Sequence, residues 1–478
     1  MSFSSRSKAF SVIAAACLLL TCSTAFTADN AQVDSSSSKQ GYAIVATPSV
    51  LDDADWNKVV EALQTKYADE FKVDVIKWDD DSAFDKLREV FPKYACFVVK
   101  PEEATVERLA TVWNKTRELD DDPYGDVIWA IITGYDSADA LRLTQVKPMT
   151  VESACGATSI ASKYFKSCVV FDEGKKNHWR VKEDGKEEDR NDAPDDTTHA
   201  IAEALNSAQL FVTSGHASEN NWSIGYAYKN GFFVAQDGKL IGAPSNDKPF
   251  LVEASGSKIH LACGNCLWGN INKRDCMVLM MIRHANVDMF MGYVVPTWFG
   301  YMGWGVMDYY VEQPGRFTVA EAFYANNQAL MNLLVNDKKA RENNAPKSEL
   351  LPDMKREGLE YDANVVVLYG DPAWQNALAV QESGWKQTLE SEKAEDGSTV
   401  WTFTVDPSVG DESFKLADAN GSERSNRPIF QLLPNRVSNV EIIEGQEYEP
   451  VITDNFILVS VSKAIVDDKP CKIKFSTK

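Results

Sequence analysis

Histidine is scarce in this chain, five residues among 478, so imidazole chemistry is confined to a few places. Long apolar runs are scarcer still. AFSVIAAACLLL, residues 9–20, is too short for a stable membrane span, and no later run reaches spanning length, so no membrane-spanning helix is expected. Positive charge is in deficit, 49 Lys and Arg against 70 Asp and Glu, and the net charge of -21 argues against nucleic acid or an anionic membrane as partner. Paired-cysteine motifs number one, Cys263-x-x-Cys266, so a zinc site lacks its second pair of ligands. What remains is the ordinary composition of a globular protein, 44% hydrophobic and 25% charged, long enough for two to four domains.

Arg6 and Lys8 precede the apolar run and the small residues of TCSTAFTA follow it. This is the layout of a secretory signal peptide over residues 1–28, cleaved after Ala25 or Ala28. Lipid anchoring at Cys22 is the lesser alternative, because Thr21 suits a lipoprotein box poorly. The expected destination is the periplasm, the cell surface or the medium. Of nine cysteines, Cys17 and Cys22 leave with the signal, and seven remain. An odd number cannot all pair within one chain, which leaves room for a reactive thiol.

A flexible leader is expected over residues 29–41. From Tyr42 the apolar pattern alternates between short runs (YAIVAT, KVDVI, YACFVV, VIWAII) and helical periods, the first with Trp56, Val59, Leu63 and Tyr67 on one face. The alternation resumes with SCVVF, AQLFVTS, KIHLA, VDMFMGYVV and ANVVVLYG. Such a pattern predicts an α/β fold with a mostly parallel sheet flanked by helices. It spans an N-terminal α/β subdomain at 42–150 and a second subdomain at 151–374. KEDGKEEDRNDAPDD, residues 182–196, reads as a solvated loop. Over 375–478 the period becomes two, as in TVWTFTV, and a β-sandwich is expected.

Two strand ends stand out. LFVTSGHASENNW (210–222) places His216 where an apolar run stops, and KIHLACGNCLWGN (258–270) does the same with Cys263. In open α/β sheets, the C-terminal strand ends gather at one edge, where sites form. An imidazole beside a thiol lowers its pKa from ~8.5 and carries a proton to the leaving group. The bland alternatives are a loop histidine and a buried thiol. Cys263-x-x-Cys266 also has the spacing of a thiol-disulfide oxidoreductase. His260 extends it to H-x-x-C-x-x-C, without a fourth metal ligand. His178, His199 and His284 read as ordinary. Trp298, Phe299, Tyr301 and Trp304 read chiefly as core packing.

G-H-A-S-E-N-N-W (215–222), L-A-C-G-N (261–265), V-L-Y-G-D-P (367–372) and C-V-V-F-D-E-G (168–174) resemble motifs of the gingipain-type cysteine peptidases, in the same chain order. The resemblance implies a caspase-like catalytic subdomain followed by an immunoglobulin-like sandwich, in a secreted endopeptidase that works through a thiol acyl-enzyme. It makes Cys263 the nucleophile, His216 the acid–base, and Glu173 the orienting acid with Asp172 as alternative. The N–H groups of Ala217 and Cys263 would form the oxyanion hole. Ala217 replaces the family's glycine, so its β-carbon would narrow the site, and a positive φ there would be strained. Trp298 would line the substrate pocket, and Asp195 and Asp196 are nearby acids. The resemblance implies no cofactor or metal for catalysis, a structural calcium, and a protein or peptide substrate. A catalytically silent exported binding module is the remaining alternative.

Overall fold

A computed structural model describes residues 39–381, 384–407, 427–465 and 469–478. The expected signal peptide and all but the end of the leader lie outside the described residues. The chain builds a twelve-stranded sheet. Its strands are β1 (Gly41–Ala46), β2 (Lys72–Lys77), β3 (Tyr94–Val98), β4 (Ile128–Ile132), β5 (Ser153–Ala157), β6 (Ser167–Phe171), β7 (Trp179–Glu183), β8 (Lys186–Arg190), β9 (Leu210–Thr213), β10 (Lys258–Ala262), β11 (Val287–Tyr293) and β12 (Val366–Tyr369). Their spatial order is β2-β1-β3-β4-β12-β11-β10-β9-β5-β6-β7-β8.

β1 to β4 and β12 are mutually parallel, as are β11, β10, β9, β5 and β6, but β11 and β12 pair antiparallel. The sheet is therefore two parallel halves laid in opposite directions, and their strand C-termini point to opposite edges. Every residue of β3, β4, β10 and β11 is buried, as expected of parallel strands covered on both faces. Helix Ala54–Tyr67 buries the expected stripe of Trp56, Val59, Leu63 and Tyr67, and the Asp53 carboxylate caps its first turn. Each such large apolar side chain contributes about 1.5–3 kcal/mol when fully buried.

β5 was not legible in the sequence. Its residues, SACGA, are small because the backbone is crowded there: a β-carbon at Gly156 would stand 2.7 Å from the Thr158 carbonyl. Residues 182–196 differ from expectation as well. Instead of a solvated loop, Asp184 and Gly185, at φ 49° and 76°, turn β7 into the antiparallel β8, as a two-residue Asp-Gly hairpin requires. β8 is KEEDR, largely exposed at the sheet edge, where charge blocks further pairing.

Beyond residue 375, strands Lys386–Lys393, Thr399–Asp406, Glu441–Glu444 and Cys471–Thr477 form one antiparallel sheet, and Ile429–Leu432, Val451–Ile452 and Phe456–Val459 a second. Trp401, Phe403 and Val405, alternating on one strand, share a core with Ile457, Ile473 and Phe475. Where this unit meets the first half of the large sheet, Asp120, Asp126 and Asp454 bring carboxylate oxygens within 4.8 Å of one another. Arg436 bonds the Asp454 carboxylate and the Asp126 carbonyl.

Burial, then the charges of Asp120 and Asp122, push the Asp126 carboxyl up to about 8. An unfolded aspartate titrates near ~3.9. Between those values the folded chain keeps a proton that the unfolded chain has lost, so stability falls as pH rises through that window. Asp126→Asn removes this slope. Thermal melts are expected to coincide with the wild type near the acid end and to favour the variant increasingly toward the alkaline end. Parallel stability curves for the two proteins would show that Asp126 ionises freely.

Candidate active site

β9 and β10 are parallel neighbours with Thr213 opposite Ala262. The ladder runs one step further, because the Cys263 N–H donates to the Thr213 carbonyl at 3.0 Å. The strand ends that carry His216 and Cys263 therefore lie side by side at one edge. Beyond them the two turns interlock. Asn265 Nδ2 donates to the Gly215 carbonyl at 3.2 Å. A β-carbon at Gly264 would stand 2.6 Å from Ser214 Oγ, so glycine permits the approach.

The two side chains have opposite settings. Cys263 is fully buried, its Sγ 3.7 Å from the Leu261 carbonyl. Its own carbonyl abuts helix Tyr301–Tyr310, where a β-carbon at Gly303 would come within 2.1 Å of it. His216 is exposed. Gly215 reaches φ +97°, Trp222 Nε1 donates to the Ser214 carbonyl at 2.9 Å, and the Ser223 N–H donates to the His216 carbonyl at 2.9 Å. The Tyr226 ring stacks on the imidazole, centroids 5.2 Å apart and planes 28° from parallel.

The expected oxyanion hole is altered by this geometry. The Cys263 N–H is occupied by Thr213. At Ala217 the bond from Ser223 to His216 makes 216/223 the hydrogen-bonded pair of its hairpin, and Ala217 and Trp222 the next pair along. Bonded and non-bonded pairs alternate in such ladders, so the Ala217 N–H points off the ladder. The strain considered for Ala217 does not arise, because it lies outside the positive-φ region and Gly215 takes that conformation instead.

The two acids have other partners. Thr158 donates to Glu173 Oε1 at 2.8 Å, while Oε2 is buried without a partner. Burial raises the Glu173 carboxyl above its ordinary range. The Glu173 carbonyl accepts from the N–H groups of Tyr226 and Ala227 at 2.7 and 3.0 Å. Glu173 thus reaches His216 through its backbone, by holding the tyrosine that stacks on the ring. Asp172 accepts from the N–H groups of Gly174 and Lys175 and pairs with His178 Nδ1 at 3.0 Å, so the alternative orienting acid is engaged with a different histidine.

Asp195 bonds Asn177 and Lys176, and Asp196 accepts from the N–H groups of Thr198 and Ser245. Both serve local loop geometry. Trp298 is not in the core: it is 53% exposed, edge-on to Tyr361 at 5.6 Å. Tyr301 is buried, and Phe299 and Trp304 are half-buried. The Thr297 N–H donates to Cys266 Sγ at 3.2 Å, which docks the Trp298 loop on the second cysteine. None of the seven described cysteines forms a disulfide. His260 Nε2 bonds Thr213, not a cysteine. Among the described residues, the carboxylates of Asp120, Asp126 and Asp454 converge at the sandwich junction, away from His216 and Cys263, and Arg436 is paired with Asp454 there.

The thiols make distinct predictions. Cys266 is half-buried and Cys263 fully buried, so at alkaline pH iodoacetamide is expected to modify Cys266 faster, and at lower pH the imidazole-paired Cys263 is expected to be the one that keeps reacting. A peptidyl acyloxymethyl ketone, directed by substrate-like contacts, is expected on Cys263, and peptide mass mapping reads both. Ketone found on Cys266 alone would transfer the nucleophile role to that residue.

Tyr226, Thr158 and Thr213 were not singled out in the sequence, and no local signal marks them. No family model matches the sequence, and no curated protein matches it. Among solved structures the chain is similar to the crystal structure of the Arg-specific cysteine proteinase gingipain R, at TM-score 0.42 and 11% identity over 88% of this chain and 92% of that one. It is also similar to a complex of the pro- and mature domains of RgpB from Porphyromonas gingivalis, at TM-score 0.41 and 11% identity over 88% and 93% of the two chains.

Proposed function

We propose that this protein is an exported cysteine endopeptidase in which Cys263 attacks the peptide carbonyl and His216 transfers the proton. The observation that carries the reading is the parallel pairing of β9 with β10, which sets the two residues on adjacent strand ends. In the reaction, the imidazole takes the thiol proton as sulfur adds to the carbonyl, then gives it to the leaving amine as the acyl-enzyme forms. Water, activated by the same imidazole, releases the acid. The off-ladder N–H of Ala217 is the open donor for the developing oxyanion, and such a donor contributes about 3–4 kcal/mol to acyl transfer. Trp298, exposed beside the Cys266 turn, offers an apolar surface for a substrate side chain.

Proteins or peptides are the substrate class. No helix among the described residues is long and apolar enough to cross a membrane. The test is incubation of the wild type and Cys263→Ala with a denatured protein and a peptide library. Fragments formed by the wild type alone support the reading, and fragments from neither refute it. The half-buried Cys266 beside Cys263 favours thiol-disulfide exchange as the second reading. Reduction of a model disulfide that requires both cysteines would establish it.

A further inference from the structure

Behind the two turns lies a buried polar chain that the proposed reaction does not use directly. Thr213, His260 and Asn265 are each fully buried. Asn265 Nδ2 donates to the Gly215 carbonyl at 3.2 Å, which leaves its Oδ1 facing Thr213. The Thr213 hydroxyl donates its single proton to that Oδ1 at 2.6 Å. Toward His260 Nε2, 3.0 Å away, the same oxygen can then only accept, so Nε2 carries the hydrogen. The other nitrogen, Nδ1, has no partner. The ring is packed between Phe211, Trp268 and Phe290, at centroid distances of 4.8, 4.8 and 5.0 Å, and burial keeps it neutral by lowering its pKa.

The direction of every hydrogen bond is thus determined, from His260 through Thr213 and Asn265 to the carbonyl of Gly215. That carbonyl belongs to the peptide unit from which His216 departs, at a residue held at φ +97°. Asn265 itself lies two residues after Cys263. The chain is a cross-brace between the turn that carries the imidazole and the turn that carries the thiol. Asparagine is suited to the junction because it donates at one end and accepts at the other; an aspartate would put charge in a dry site and lose the donor to Gly215.

We infer that Asn265, oriented by Thr213 and His260, is a positioning residue that sets the His216 imidazole against the Cys263 thiol. The inference rests on the proposed pairing of those two residues. Catalytic groups need placement within about 0.5 Å, and a displacement of about 1 Å can cost on the order of 100-fold.

The experiment follows the alkylation of Cys263 by iodoacetamide across pH, by mass spectrometry, in the full-length protein. Wild type is expected to keep a reactive limb below the ordinary thiol range, and His216→Ala to lose it. Thr213→Val, which keeps the shape and removes the hydroxyl, and Asn265→Ala are expected to lower the rate on that limb by about 10- to 100-fold. Thr213→Ser should restore it. If His216→Ala changes nothing, the pairing itself is absent and this inference goes with it. If His216→Ala removes the limb while Thr213→Val and Asn265→Ala keep it, the pairing stands and the brace is merely structural. A measurement on the wild type needs no variant to fold: nitrogen-15 spectra should show His260 as the neutral Nε2–H tautomer, and the Nδ1–H form would overturn the relay.

Discussion

Cys263→Ala and His216→Ala are each expected to remove peptide hydrolysis almost completely, and the double variant to be hardly worse than either. Residues that act as one unit are not additive, and losses on the order of a millionfold in kcat are typical when nucleophile or base is removed. The thiol is fully buried at a strand end and the imidazole sits on the neighbouring strand's turn. Glu173→Ala should cost far less. Its carboxyl bonds Thr158, and its link to His216 runs through the backbone contact with Tyr226, which the substitution preserves. Tyr226→Ala should therefore cost more than Glu173→Ala, because it removes the ring that lies on the imidazole. Initial rates on one cleaved peptide, with Cys266→Ala as control, decide the matter. Multiplicative losses in the double variant would mean that the two residues act independently, and the dyad would have to be abandoned.

The second large effect concerns stability. Asp371, in the G-D-P stretch, is fully buried and accepts from Lys66 Nζ at 2.7 Å, Tyr67 at 2.7 Å, Tyr42 at 3.0 Å and the Ala373 N–H at 3.1 Å. It fastens the segment after β12 to β1 and to helix Ala54–Tyr67, roughly three hundred positions earlier in the chain. Asp371→Ala leaves an ammonium and two hydroxyls around an empty centre. Breaking a buried charged pair from one side costs about 3–5 kcal/mol, and the melting temperature is expected to fall on the order of 10 °C. Lys66→Met in the same background should recover part of the loss, since the unpaired charge is then removed as well. A melt of Asp371→Ala within a degree of the wild type would show that the cluster contributes nothing.

Much of the architecture was legible because burial leaves a local period. Trp56, Val59, Leu63 and Tyr67 recur at helical spacing and are all buried, and Trp401, Phe403 and Val405 alternate into the sandwich core. Where burial leaves no such trace, the reading failed. β5 is built of small residues under close backbone approach, and β8 is an edge strand with little to bury, so neither showed a strand pattern. Trp298 read as core because aromatic residues usually are, yet its loop docks on Cys266 and leaves the ring outside.

Apart from β5, β7 and β8, the sequence by itself determined the strands of the large sheet, the sandwich and the two strand ends at which an imidazole and a thiol are held, since each follows from short-range pattern. Strand order, the opposed directions of the two half-sheets and the adjacency of β9 and β10 were decided by the tertiary structure. So were the partners of Glu173, Asp172, Asp371 and Asn265. A hydrogen bond is satisfied by any suitable group that folding brings within about 3 Å, and residues tens or hundreds of positions apart are brought that close only by the packing of the whole sheet.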